Sequence, residues 1–183
     1  MRTIRSGGFT LIELLITIAI FSITLTYGVS SYRSWVLNSQ IRNAAESISN
    51  GIMHARAEAV KCNARVAFAM GTASAWAVTH VDACGSLAAS SVVESRPSSE
   101  GSKNVTVAVT PSGTKTITFG SLGTVVANAD ASVTPTQFDL SSTGTAAGVT
   151  LRPLRVAIGA GGSSRLCDPS IPAKTPPDPR MCY

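Results

Sequence analysis

The sequence predicts an α+β protein in which one long N-terminal helix packs on antiparallel β-sheets. Three observations carry this. Phe9 to Val29 is an apolar stretch of 21 residues with one charge, Glu13. From Tyr32 to Lys61 there is no Pro and a single Gly, Gly51, while Ile41, Ala45, Ile48, Ile52, Ala55 and Ala59 recur at spacings of three and four. That spacing is the pattern of one buried helix face. After Asn63 the period shortens, and short apolar runs alternate with clusters of Gly, Pro, Ser and Asn, the mark of strands joined by turns.

The apolar stretch comes first. As a helix rising about 1.5 Å per residue it reaches about 30 Å, the thickness of a bilayer core. Its Thr and Ser hydroxyls can bond back to carbonyls one turn earlier, so they do not oppose insertion. The helix is expected to continue past the membrane to about Lys61, with Arg42, Glu46, Asn50, His54, Glu58 and Lys61 mostly off the buried face. His54 reads as a partly exposed helix residue, since no second ligand sits at matching spacing.

Arg65 to Met70 and Ala75 to His80 then read as paired strands around the turn Gly71-Thr72-Ala73-Ser74. Further strands are expected at Ser91–Glu94, Asn104–Thr110, Thr114–Phe119, Gly123–Ala127, Gln137–Leu140, Val149–Leu151 and Arg155–Ile158. Pro111-Ser112-Gly113-Thr114 suits a turn between two alternating strands. Arg96–Lys103 and Ser141–Gly148 are loops by composition, and Asp168–Tyr183, with five Pro residues, reads as an irregular tail.

Composition sets the outer bounds. The chain has 183 residues, room for one domain and an accessory segment. Charged residues are 14%, against about 25% in an average globular chain, and the net charge is +5. Two His residues, His54 and His80, argue against a His-rich metal site or relay. A multi-domain enzyme, a polytopic transporter and a zinc-finger protein are all disfavoured.

Glu13 is the informative residue of the apolar stretch. An ionisable group in a membrane segment calls for a named partner. A cleaved secretory signal peptide fits poorly, because no A-x-A site follows and an acid lies inside the apolar stretch. A plain signal anchor explains the length but not the acid. If the chain is cut after Gly8, the new α-amine of Phe9 is a cation that can reach Glu13 of a neighbouring subunit in a filament. Pairing the two neutralises charges that are each costly alone in an apolar core.

Gly8-Phe9-Thr10-Leu11-Ile12-Glu13-Leu14, followed by the long apolar run, resembles the type III signal of type IV pilins and type II secretion pseudopilins. The resemblance implies that a membrane-bound prepilin peptidase cuts between Gly8 and Phe9 and N-methylates Phe9. It also implies that the helix serves first as an inner-membrane anchor and then as filament core. Many major pilins carry Pro where this chain has Ser30. Farther on, His54-Ala-Arg-Ala-Glu-Ala-Val-Lys-Cys-Asn63, Trp76, Ile117-Thr-Phe119 with Gly123, and Arg152-Pro-Leu-Arg-Val-Ala-Ile158 with Gly162-Ser-Ser-Arg-Leu-Cys-Asp-Pro169 resemble the FimT/FimU and GspH group of minor pilins. The implied fold is pilin-like. Its parts are a leader at residues 1–8, a transmembrane half-helix at 9–32, an amphipathic half at 33–63, a periplasmic β-rich head at 64–167 and the Pro-rich tail at 168–183.

The four cysteines, Cys62, Cys84, Cys167 and Cys182, all lie beyond the membrane stretch. An even count in a translocated domain reads as two disulfides. Of the three pairings, Cys62–Cys84 and Cys167–Cys182 are favoured: the first ties the helix end to the loop after the first hairpin, the second closes the tail. A Cys₄ zinc site is disfavoured because no C-x₂-C pair exists.

Charge is unevenly spread. Without Arg2 and Arg5 the side chains sum to +3; residues 9–65 carry +2, residues 66–143 carry −2, and residues 144–183 carry +3. Arg152, Arg155, Arg165, Lys174 and Arg180 make the C-terminal quarter basic, and guanidinium groups suit phosphate oxygens. FimT-like minor pilins of transformable bacteria bind DNA through a Gly-Arg-x-Arg motif. The matching run here, Gly162-Ser163-Ser164-Arg165, lacks the first Arg, and Arg152, Arg155 and Arg180 compensate only if the fold brings them together. A solvated face of scattered Arg is the competing reading.

Gly159-Ala-Gly-Gly-Ser-Ser164 has Ser at the third Gly position of a dinucleotide loop and reads as a turn. No G-x-S-x-G occurs. The expectation is therefore a non-enzymatic minor pilin of type IV pilus assembly without cofactor or metal. Its expected partners are other pilins, the peptidase, the inner membrane and double-stranded DNA. A minor pseudopilin of type II secretion is the alternative. A membrane-anchored periplasmic enzyme would need a catalytic set gathered around His80.

Overall fold

The computed structural model describes residues 8–144, 150–172, 176 and 178–182, with residues 26–30 described as helix backbone only. One helix, α1, runs Leu11–Cys62. Thr10 caps its start: the residue is extended, and its Oγ1 accepts the Glu13 N–H at 3.3 Å. Asn63 closes it in the left-handed conformation, at φ 48°, with its N–H directed to the carbonyls of Ala59 and Val60.

The first part of α1 stands clear of the head. Its Thr17, Ser22 and Thr24 hydroxyls donate to carbonyls three or four residues back, so they add no unmet polar group. Among the described residues, no helix is long and apolar enough to cross a membrane. The second part lays Ile41, Ala44, Ala45, Ile48, Ile52, Ala55 and Ala59 fully into the core.

Nine strands follow: β1 Val66–Met70, β2 Trp76–His80, β3 Val92–Arg96, β4 Val105–Thr110, β5 Thr116–Phe119, β6 Val125–Val126, β7 Gln137–Ser142, β8 Leu154–Ile158 and β9 Ser164–Cys167. They form a five-stranded sheet, β3-β2-β1-β5-β6, and a four-stranded sheet, β4-β7-β8-β9. Every pairing is antiparallel. Both sheets pack on α1. Phe68 of β1 sits where the three layers meet, 5.7 Å from the Trp76 ring and 6.2 Å from the Phe138 ring. The buried Trp76 Nε1–H donates to Ser47 Oγ at 2.8 Å, so the helix supplies the polar partner that this indole requires.

Several expectations change. The turn at Pro111–Thr114 does not make a hairpin: β4 pairs with β7 and β5 with β1, so the chain crosses between sheets there. Of the strand expected at Val149–Leu151, residue 149 lies outside the described residues, and Thr150 and Leu151 are not in a strand. Strand β9, where the sequence predicts no strand, extends the second sheet through Arg155↔Cys167 to Ile158↔Ser164. The β8–β9 turn needs Gly162, whose φ is +77° and where a Cβ would stand 2.7 Å from Phe119 Cε1. The described part of the tail folds back, since the Asp168 N–H donates to the Arg180 carbonyl at 2.7 Å and Met181 is buried.

Candidate functional site

At the N-terminal end, Gly8 and Phe9 carry no regular secondary structure and precede the helix. Phe9 is 85% exposed, and a Cβ at Gly8 would meet nothing within 4 Å, so the Gly8–Phe9 peptide bond is accessible. Glu13 lies in the first turn, where the positive end of the helix dipole favours an acid. Thr10 takes its backbone N–H while the carboxylate stays exposed. Leu11, Ile12, Leu14, Leu15, Ile16 and Ile18 are more than half exposed on all sides of the helix. A surface apolar all round needs lipid or other helices against it.

The basic residues of the C-terminal quarter do not form one lobe. Arg155 forks onto Asp139, with Nε 2.6 Å from Oδ1 and Nη2 3.2 Å from Oδ2. Arg165 donates from Nη2 to the carbonyls of Pro179 and Met181, holding the tail. Arg180 pairs with Asp178, whose hydrogen bond raises the Arg180 pKa above its ordinary value. Lys174 lies outside the described residues. What the fold does gather is Arg152 and Arg180 with Arg42 of the helix, around a cleft of about 440 Å³ that Trp35 and Asp168 also line. Among the described residues, the Arg152 side chain has no acidic partner. The sequence places Arg42 off the buried helix face; it comes beside Arg152 because Asn38, one turn earlier on α1, accepts the Arg152 backbone N–H at 2.8 Å.

Cys62 is bonded to Cys84 and Cys167 to Cys182, with Cα–Cα distances of 5.3 and 5.1 Å. The first joins the last turn of α1 to the segment after β2. Glu58 and His80 flank it, and both are buried, although the helix spacing put Glu58 outside. Lys61 explains the difference: its ammonium lies 3.0 Å from the Glu58 carboxylate and, chiefly by that hydrogen bond, holds its pKa below the ordinary value against the effect of burial. His80 Nδ1 is 2.8 Å from Ser91 Oγ. Nothing in composition pointed to this group. The signal was a shared offset, since Glu58–Cys62 and His80–Cys84 are each four residues apart. His54 is paired with Glu94 at 2.6 Å.

Beside the same disulfide, Arg65 forks onto Asp82 and depresses its pKa, mainly through the side-chain hydrogen bond. The stability this pair contributes is complete above the ordinary Asp value of 3.8 and fades as pH falls through the lower folded value. Asp82→Asn is expected to lower the melting temperature slightly at pH 7 and not at pH 2. Equal losses at both pH values would contradict the linkage.

An N-terminal helix that starts at a capped acid, exposes apolar residues along its first part and carries a two-sheet head is the architecture of a pilin-type subunit. The comparisons identify the family. The chain matches the prokaryotic N-terminal methylation motif over residues 4–27 and type II transport protein GspH over residues 44–165. It belongs to the GspH family of pilins and pseudopilins, whose members are structural subunits that assemble with other pilins after processing by prepilin peptidase. Two crystal forms of the type IV minor pilin FimU of Pseudomonas aeruginosa are similar, each at 18% identity over 78% of this chain. They are covered to 95% and 99% of their own length, with TM-scores of 0.47 and 0.45. No curated protein sequence matches the chain.

Proposed function

We propose that this chain is a non-enzymatic minor pilin of type IV pilus assembly, held in the bacterial inner membrane by a single pass of α1 with its head in the periplasm. Cleavage after Gly8 frees the Phe9 amine, which is N-methylated and pairs with Glu13 of the neighbouring subunit. The observation that carries this reading is the register of Gly8, Phe9 and Glu13 at the capped start of a helix with exposed apolar surface. The test is mass spectrometry of the chain purified from its own membranes. A mature polypeptide beginning at methylated Phe9 is expected; a chain retaining residues 1–8, or lacking the anchor, would overturn it.

The family description, type II transport protein, favours a second reading: a minor pseudopilin acting in protein secretion. Deletion separates the two. Loss of surface pili with secretion intact is the expected result, and the reverse establishes the second reading.

Contact with duplex DNA belongs to the first reading and centres on Arg152, with Arg42 and Arg180 across the cleft. Arg155 and Arg165 are engaged elsewhere. Arg152→Gln is expected to weaken DNA binding uniformly across sequences and to reduce the salt slope by about one. Unchanged binding and slope would remove DNA from the proposal.

A further inference from the structure

The geometry points to a zinc site at Glu58, Cys62, His80 and Cys84 that opens when the Cys62–Cys84 disulfide is reduced. The donor atoms of these four residues all lie within 4.8 Å of one another. Three are already placed as zinc requires. Cys62 Sγ is 3.5 Å from His80 Nε2 and 3.4 Å from Glu58 Oε1, and these last two atoms are 3.6 Å apart. Ligands at about 2.0–2.3 Å around a tetrahedral zinc stand about 3.3–3.8 Å from one another. The triangle therefore has the edges of one face of the coordination polyhedron. Cys84 Sγ, which the disulfide holds against Cys62, is the one donor that must move.

The surroundings favour the same assignment. Glu58 and Cys62 are one turn apart on α1, while His80 ends β2 and Cys84 follows four residues later in the segment after it, so helix and strand fix three of the donors. The His80 side chain is 1% exposed, and its Nδ1 is held by Ser91 Oγ, leaving Nε2 toward the sulfur. A hydrogen bond on the far ring nitrogen is how metal-bound imidazoles are oriented. The charges also balance: two thiolates and one carboxylate exceed the zinc charge by one, and the Lys61 ammonium on Glu58 offsets it.

The step is a two-electron reduction. A dithiol gives two electrons and two protons to the disulfide and becomes a disulfide itself; zinc then displaces both thiol protons as it binds the two thiolates. The same four residues thus hold either a covalent bond or a metal, according to the thiol redox state.

The test uses the full chain in detergent, with Cys167→Ser and Cys182→Ser so that the second cysteine pair cannot bind metal. After anaerobic reduction, titration with Zn²⁺ against a chromophoric chelator is expected to show one zinc per chain, bound at least about a hundredfold more tightly than by the oxidised chain. Co²⁺ in its place is expected to give the strong visible bands of a tetrahedral thiolate site, and air is expected to expel it. His80→Ala should abolish binding. Since that buried residue also supports folding, Ser91→Ala, which keeps all four donors, is expected to weaken binding about tenfold. Zinc uptake no better than in the oxidised chain, an octahedral cobalt spectrum, or full affinity in both variants overturns the assignment.

Discussion

Glu13→Ala is expected to remove the chain from assembled filaments while leaving it in the membrane. The two effects separate because they rest on different atoms. Insertion depends on the apolar length of α1, which the substitution increases. The helix start survives as well, since Thr10 accepts the backbone N–H of residue 13, which alanine retains. What is lost is the carboxylate. In the proposed filament it lies in an apolar core against the Phe9 amine of the next subunit. Removing one member of a buried ion pair leaves the other charge uncompensated, typically at a cost of about 3–5 kcal/mol. That corresponds to roughly a hundredfold or more in the equilibrium for adding the subunit. Glu13→Gln keeps the shape and one acceptor and should recover little, because the missing quantity is charge. Fractionation of sheared filaments and membranes, probed with antibody to the head, measures both pools. Normal filament content of Glu13→Ala would mean that the acid serves only the helix dipole.

Sequence periodicity reveals what a residue's own neighbours along the chain determine, and little beyond. Ile41 to Ala59 was legible because each residue lies on one face, and the face is buried as a unit. Glu58 was not, since its burial depends on Lys61 beside it and on His80, 22 residues later. Counting charge by segment failed for a related reason. Asp139 belongs to the acidic middle of the chain and Arg155 to its basic end, yet they face each other across the β7–β8 ladder and cancel. Strand β9 carries no alternation that Ser164-Arg-Leu-Cys167 could display. Its pairing is fixed by the tight β8–β9 turn and by the tail that Arg165 draws back over it. Of the candidate zinc ligands, the sequence pairs Cys62 with Cys84, and only the equal four-residue offset hints at Glu58 and His80, because the four come together only when the end of α1 docks beside β2.

Gly51→Leu is expected to loosen that docking and lower the stability of the head by about 3 kcal/mol. A Cβ at this position would stand 2.9 Å from Phe68 Cε2 and 3.0 Å from Trp76 Cε3. Glycine is thus what allows the helix backbone to rest directly on two aromatic rings. A leucine side chain would have to displace Phe68 and Trp76 together. Phe68 also packs against Phe138 of the second sheet, and Trp76 would lose its bond to Ser47. The better helix propensity of leucine returns about 1 kcal/mol at most, less than overpacking and an orphaned indole N–H remove. Ala57→Leu, on the exposed face of the same helix stretch, receives no clash and should melt within about 2 °C of the parent. For Gly51→Leu a fall of roughly 6–12 °C is expected in the near-ultraviolet dichroism of the full chain in detergent. Since α1 is the element that joins head to anchor, the same variant should make the head susceptible to proteolysis between Met53 and Lys61 without changing membrane retention of the anchor. Melting and cleavage like the parent's would mean that the sheet can recede from the helix, and that the close approach at Gly51 is not what fixes one to the other.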